Sequence, residues 1–117
     1  MDSLSNHHHP EFSLDDLIRV GAPGTYLVRV DGHSMTGAGI FDGDLLVVDK
    51  GIDAAPGSVV IGLINQEPVC KRLDYECGVP VLRSEAAGYP DRFVMEGDDF
   101  AVWGVVTHSV RQHGLYP

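Results

Sequence analysis

The sequence predicts a compact, strongly curved, mostly β domain with one short N-terminal helix. Three observations carry that prediction. Short runs rich in Val, Ile and Leu recur along most of the chain. Gly, Asp and Pro interrupt them at close intervals, as turns between strands require. Only one stretch combines helical spacing with a helix start signal.

Residues 1–12 are polar, contain Pro10 and show no periodicity, so they are predicted to form a flexible arm. The His7-His8-His9 run within it is set aside as part of that arm or as a tag. Residues 13–117 are expected to form the single domain. Ser13-Leu14-Asp15-Asp16 resembles a capping box with Ser13 as N-cap and an acidic side chain three residues on. Leu14, Leu17 and Ile18 form one apolar stripe, which predicts a short helix over 14–19 held against the domain. Gly21-Ala22-Pro23-Gly24 stops it. Strands are then predicted at Tyr26–Val30, Leu45–Asp49 and Ser58–Ile64. Glu67–Asp74 follows as a hairpin partner across Asn65-Gln66, with Val69, Lys71 and Leu73 on its apolar face. Val79–Leu82 and Arg92–Met95 are shorter candidates. Phe100–Val110 is a long closing strand with Trp103 near its middle.

A chain of 117 residues is one domain with a modest core. Its 44% hydrophobic and 21% charged residues are ordinary for a soluble globular protein. Its net charge of −9, with eight Lys and Arg, speaks against direct DNA binding, which needs a basic face for the phosphates. No apolar run approaches the roughly 20 residues that span a bilayer, and no signal peptide opens the chain. A cytoplasmic protein without membrane contact is expected. Cys70 and Cys77 do not form a Cys-x-x-Cys site and are read as reduced thiols. No metal and no cofactor are expected.

The candidate chemistry lies in Asp31-Gly32-His33-Ser34-Met35. A glycine near a serine lets the backbone turn sharply and present the hydroxyl, with backbone N–H groups at hand for an oxyanion. Thr36 stands where a Gly-x-Ser-x-Gly elbow would have its second glycine. A Ser-His-Asp triad has poor partners, because His33 adjoins Ser34 while His108 and His113 lie in or after the last strand. Only two lysines are present. Lys50 ends a strand beside Gly51, where solvent is expected. Lys71 sits on an inward-facing strand position, and two roles stay open for it. Its stem can lie along the sheet with the ammonium reaching water or a carboxylate. Alternatively, burial beside apolar neighbours can keep it neutral and able to take the Ser34 proton.

The chain resembles the LexA/UmuD family of self-cleaving serine-lysine proteins over nearly all of residues 14–112. The resemblance runs through Asp31-Gly32-His33-Ser34-Met35, Gly39-Ile40-Phe41-Asp42-Gly43-Asp44-Leu45-Leu46-Val47-Val48-Asp49, Val69-Cys70-Lys71-Arg72-Leu73 and Trp103-Gly104-Val105-Val106-Thr107-His108-Ser109-Val110. The 37-position separation of Ser34 and Lys71 agrees with the family without a gap. The resemblance implies Ser34 as nucleophile and Lys71 as general base. It implies the backbone N–H groups of His33 and Ser34 as the oxyanion hole, in a shallow groove. Family members cut one Ala-Gly or Cys-Gly bond in their own N-terminal segment, stimulated by RecA filaments on single-stranded DNA. Here Ala38-Gly39, Cys77-Gly78 and Ala87-Gly88 all lie inside the domain, and the chain begins about where processed UmuD-like forms begin.

The implied role is therefore that of a processed, UmuD-like SOS-response protein. Such forms make a homodimer, partly through the last strand, and join a Y-family DNA polymerase subunit in an error-prone translesion polymerase. The alternative is the C-terminal self-cleavage and dimerisation domain of a LexA-like or prophage repressor. Signal peptidases also place a lysine after a Ser-Met pair, but they need a membrane anchor and a substrate-binding insertion.

Overall fold

A computed structural model describes residues 14–114. Ser13, the expected N-cap, and the arm before it lie outside the described residues. Helix α1 spans Leu14–Ile18 and is followed by β1 (Thr25–Arg29), a single 3₁₀ turn at Thr36–Ala38, β2 (Leu45–Asp49) and β3 (Val59–Ile64). Then come β4 (Glu67–Glu76), β5 (Val79–Arg83), the two-residue β6 (Arg92–Phe93) and β7 (Phe100–Val110). Every predicted strand is present, although the sixth is shorter than the predicted Arg92–Met95. Leu14 and Leu17 are 60% and 58% exposed, so the apolar stripe of α1 is not packed away as expected.

All seven strands form one antiparallel sheet in the order β1-β2-β7-β3-β4-β5-β6. Two tight turns fix the register of its hairpins. Asn65 and Gln66 have φ of 50° and 70° between β3 and β4, and Cys77 and Gly78 have φ of 50° and 79° between β4 and β5. Paired positive φ values in a two-residue loop match the right-handed twist of the flanking strands. Asn65 is held further, donating through its side-chain amide to Asp98 at 2.9 Å and accepting from the Asp99 N–H at 2.9 Å.

The sheet bends sharply enough to bury both faces. Val60 and Ile61 are neighbours on β3 and point to opposite faces. Val60 packs with Ile64, Leu73, Leu82 and Val105, whereas Ile61 packs with Met35, Ile40, Leu46 and Val48. Two-sided burial explains why Leu46, Val47 and Val48 are consecutively buried with no alternation. The curvature has a visible source in β7. Trp103 is an extra residue against β3, and Thr107 is an extra residue against β2. Each bulge bends and twists the strand.

The closing strand is central in the sheet order, yet each of its halves has a single neighbour. Its first half pairs with β3 and its second half with β2, putting β7 in the middle of the sheet. Each half therefore keeps one side without a strand among the described residues: residues 100–104 pair with β3 alone and residues 106–110 with β2 alone.

Candidate active site

The Ser34 turn is fixed from several directions. Gly32 has φ of 109°, a conformation that suits glycine, and its N–H donates to the Asp42 carboxylate at 2.8 Å. Met35, next to Ser34, is 2% exposed and anchors the turn in the core. Its carbonyl accepts the N–H groups of Ala38 and Ile40 at 3.0 and 3.2 Å. Beyond it, Asp44 is buried at 1% exposure and accepts from the Phe41 N–H at 2.9 Å and from Arg111 at 2.8 Å. The Arg111 guanidinium, which also lies 4.1 Å from the Phe41 ring, holds the Asp44 carboxyl below the usual carboxylate range.

Lys71 reaches this turn from β4. It sits across from Val60, and its neighbours Val69 and Leu73 pack in the same cluster as Val60. The lysine stem therefore lies along the predicted apolar face. Its Nζ is 2.6 Å from Ser34 Oγ and 2.8 Å from Ser84 Oγ. Burial lowers the Lys71 pKa below the ordinary lysine value, and the charge coupling to Cys70 offsets this in part. The Cys70 thiol is pushed up to about 11 by its own burial and stays a protonated, unreactive group.

Ser84 was not among the residues singled out from the sequence. It follows β5 directly, and Arg83 pairs with Arg72 across the hairpin. Continuing that register one step places Ser84 opposite Lys71, so the Cys77-Gly78 turn held the signal. The next residue closes the arrangement. The Glu85 N–H donates to the Ser34 carbonyl at 2.7 Å, and its carbonyl accepts the Gly37 N–H at 2.6 Å. Its side chain pairs with Arg72. A Cβ on Gly37 would lie 2.6 Å from the Glu85 carbonyl oxygen, so the two segments touch backbone to backbone.

The other candidates lie elsewhere. His33 and His108 are exposed, and His108 Nδ1 is 2.9 Å from Thr107 Oγ1. Lys50 is exposed and stacks 4.8 Å from the Trp103 ring. Among the described residues no cluster of His, Cys, Asp and Glu could hold a metal, and no helix is long and apolar enough to cross a membrane.

Ser34 and Lys71 open onto a cavity of about 380 Å³ whose lining includes Val28, Met35, Ile61 and Cys70. Arg29 and Asp31 also line it, so the wall combines apolar surface with a few polar groups, as ligand clefts do. Chemically, a hydroxyl and an amine in hydrogen-bond contact, beside an apolar cavity, can exchange a proton and attack an acyl carbon.

Comparison with known proteins gives a consistent result. A family model described as Peptidase S24-like matches residues 2–107. The MucA proteins of Salmonella typhimurium and Escherichia coli are each 39% identical over 92 residues, covering 76% of this chain and 61% of theirs. The LexA repressor of Bordetella parapertussis is 33% identical over 112 residues, covering 96% of this chain and 51% of the repressor. A LexA repressor from Cupriavidus taiwanensis is 36% identical, with 77% and 42% covered. The chain thus spans between two fifths and three fifths of the length of these relatives.

Proposed function

The chain belongs to the Peptidase S24-like family, and from that premise we propose that it is the serine-lysine self-cleaving domain of an SOS-response protein. The supporting observation is the 2.6 Å approach of Lys71 Nζ to Ser34 Oγ in a partly buried setting. Neutral Lys71 accepts the Ser34 proton as Oγ attacks the carbonyl of a peptide bond laid in the cavity. The developing oxyanion is held by the backbone N–H groups of His33 and Ser34. The Lys71 ammonium then gives its proton to the departing amine, leaving an acyl ester on Ser34. Water attacks that ester, Lys71 takes its proton, and returning it to Ser34 Oγ restores the site.

Because only the neutral amine can act as base, the rate rises with pH until Lys71 is deprotonated. Burial moves that point below the ordinary lysine value of about 10.4. For the cleaved product we infer, from the resemblance of the sequence motifs to the LexA/UmuD family, a cytoplasmic homodimer acting as accessory subunit of a Y-family translesion polymerase, with RecA filaments stimulating the cut. The open side of β7 residues 106–110 suits pairing with a second copy. A net charge of −9 leaves DNA contact to the partner. A second reading, the C-terminal domain of a LexA-like or prophage repressor, is favoured by the LexA match over 96% of the chain.

Both readings share one test. A segment carrying an Ala-Gly bond is fused ahead of Ser13, and intact mass is followed from neutral to alkaline pH. Cleavage that rises with pH and vanishes in Ser34→Ala and Lys71→Ala supports the dyad. A folded protein that stays whole at every pH refutes it. Co-purification with a Y-family polymerase subunit then separates the accessory role from the repressor role.

A further inference from the structure

We propose that Ser84 is a positioning residue for Lys71, fixing the rotation of its amine so that the nitrogen lone pair points at Ser34. The inference deepens the serine-lysine reading and rests on it. A neutral amine has two N–H groups and one lone pair, and in an open site it rotates freely about its last bond. Here Ser84 Oγ lies 2.8 Å from Lys71 Nζ and accepts one N–H, while Ser34 Oγ lies 2.6 Å away on the other contact. With one N–H committed to Ser84, the lone pair is available to the Ser34 hydroxyl proton. Ser84 is itself oriented, since its hydroxyl is directed at the Pro90 carbonyl at 3.4 Å. The segment that carries it cannot drift from the Ser34 turn. Glu85 bonds that turn on both sides, through the Ser34 carbonyl and the Gly37 N–H.

The same contact acts on protonation. A hydroxyl accepting from an ammonium favours the charged form. Losing it lowers the pKa of Lys71 while also releasing the amine to rotate. A residue that served only to fill space would do neither. The other ionisable groups around the amine are Cys70 beside it, Arg29 and Asp31 in the cavity wall, and the Arg72–Glu85 pair on the residues next to Lys71 and Ser84, and a change at Ser84 replaces none of them.

The test uses the fused chain with Ser84→Ala and Ser84→Thr, and reads two quantities. Lysine labelled with ¹³C at Cε gives one signal each from Lys50 and Lys71, so the Lys71 titration is followed directly in a Ser34→Ala background. Self-cleavage is followed against pH in parallel. Ser84→Ala is expected to move the Lys71 titration and the acid limb of the rate profile to lower pH. It should also lower the plateau by about tenfold, a part of what a positioned general base supplies. Ser84→Thr, which keeps the hydroxyl, should restore both. An unmoved titration overturns the proposal, whatever happens to the rate. So does a full plateau in Ser84→Ala. If the parent fusion does not cleave, the dyad reading fails by itself, and the titration in Ser84→Ala still decides whether the hydroxyl holds the amine.

Discussion

The backbone contact between Gly37 and Glu85 makes a quantitative prediction for Gly37→Ala. Gly37 does not have a left-handed φ, so alanine meets no backbone strain there and the effect comes from contact alone. The new Cβ would stand 2.6 Å from the Glu85 carbonyl oxygen and 3.3 Å from its carbonyl carbon. A carbon and an oxygen without a covalent link settle at about 3.3 Å. The two segments must therefore part by about 0.7 Å. One of them carries Ser34 and the other carries Ser84, and Lys71 bonds to both. Misplacing reacting groups by about 1 Å is enough to lose roughly a hundredfold in rate. We expect self-cleavage of the fused chain to fall by about 10- to 100-fold. Crowding and the weakened Gly37-to-Glu85 hydrogen bond should cost about 1–3 kcal/mol of stability. Single-turnover cleavage by intact mass, read at the pH plateau beside a thermal melt, gives both numbers. A rate within about twofold of the parent, with an unchanged melt, would show that the clasp plays no part in setting the site.

Other consequences are open to measurement. In a Cys70→Ala background, the native state binds fewer protons at Lys71 than the unfolded chain does between its depressed pKa and about 10.4. Folding stability should therefore rise with pH through that window, and Lys71→Met should flatten the slope in denaturant titrations at stepped pH. Leu73 is fully buried beside Val60 and Leu82, and Leu73→Ala should lower unfolding free energy by about 2–5 kcal/mol, read from the denaturation midpoint. Iodoacetamide at neutral pH should alkylate the exposed Cys77 and spare Cys70, whose thiol is held up to about 11; peptide mapping that finds both modified equally would contradict the burial of Cys70.

The strands were readable because β-branched runs between turn residues state their own boundaries, and the hairpin across Asn65-Gln66 was legible between two of them. The order of the strands was not readable. Nothing in Phe100–Val110 announces that two bulges let it serve two neighbours, because a bulge is a property of the pairing and not of one strand. In α1, spacing suggested a buried stripe, yet a five-residue helix gains too little by burial to force Leu14 and Leu17 inward. At the site, Ser34 and Lys71 were singled out by residue type and by family resemblance, since periodicity could not say what lay across from Lys71. Ser84 was missed because its signal is a register, legible only once both strands of the hairpin are set side by side.

The central place of β7 also bears on how the protein is made. Ribosomes deliver β2 and β3 long before residues 100–110, yet neither strand acquires its inner neighbour until those residues emerge. Until then the nascent chain carries two unpaired inner edges, a state prone to pairing with other chains. The contacts that close the sheet join residues far apart along the chain, which slows folding. The working sheet, with Lys71 on β4 against the Ser34 turn, is thus a late product of synthesis, and a chain that stalls before residue 100 is a candidate for aggregation and not for premature cleavage.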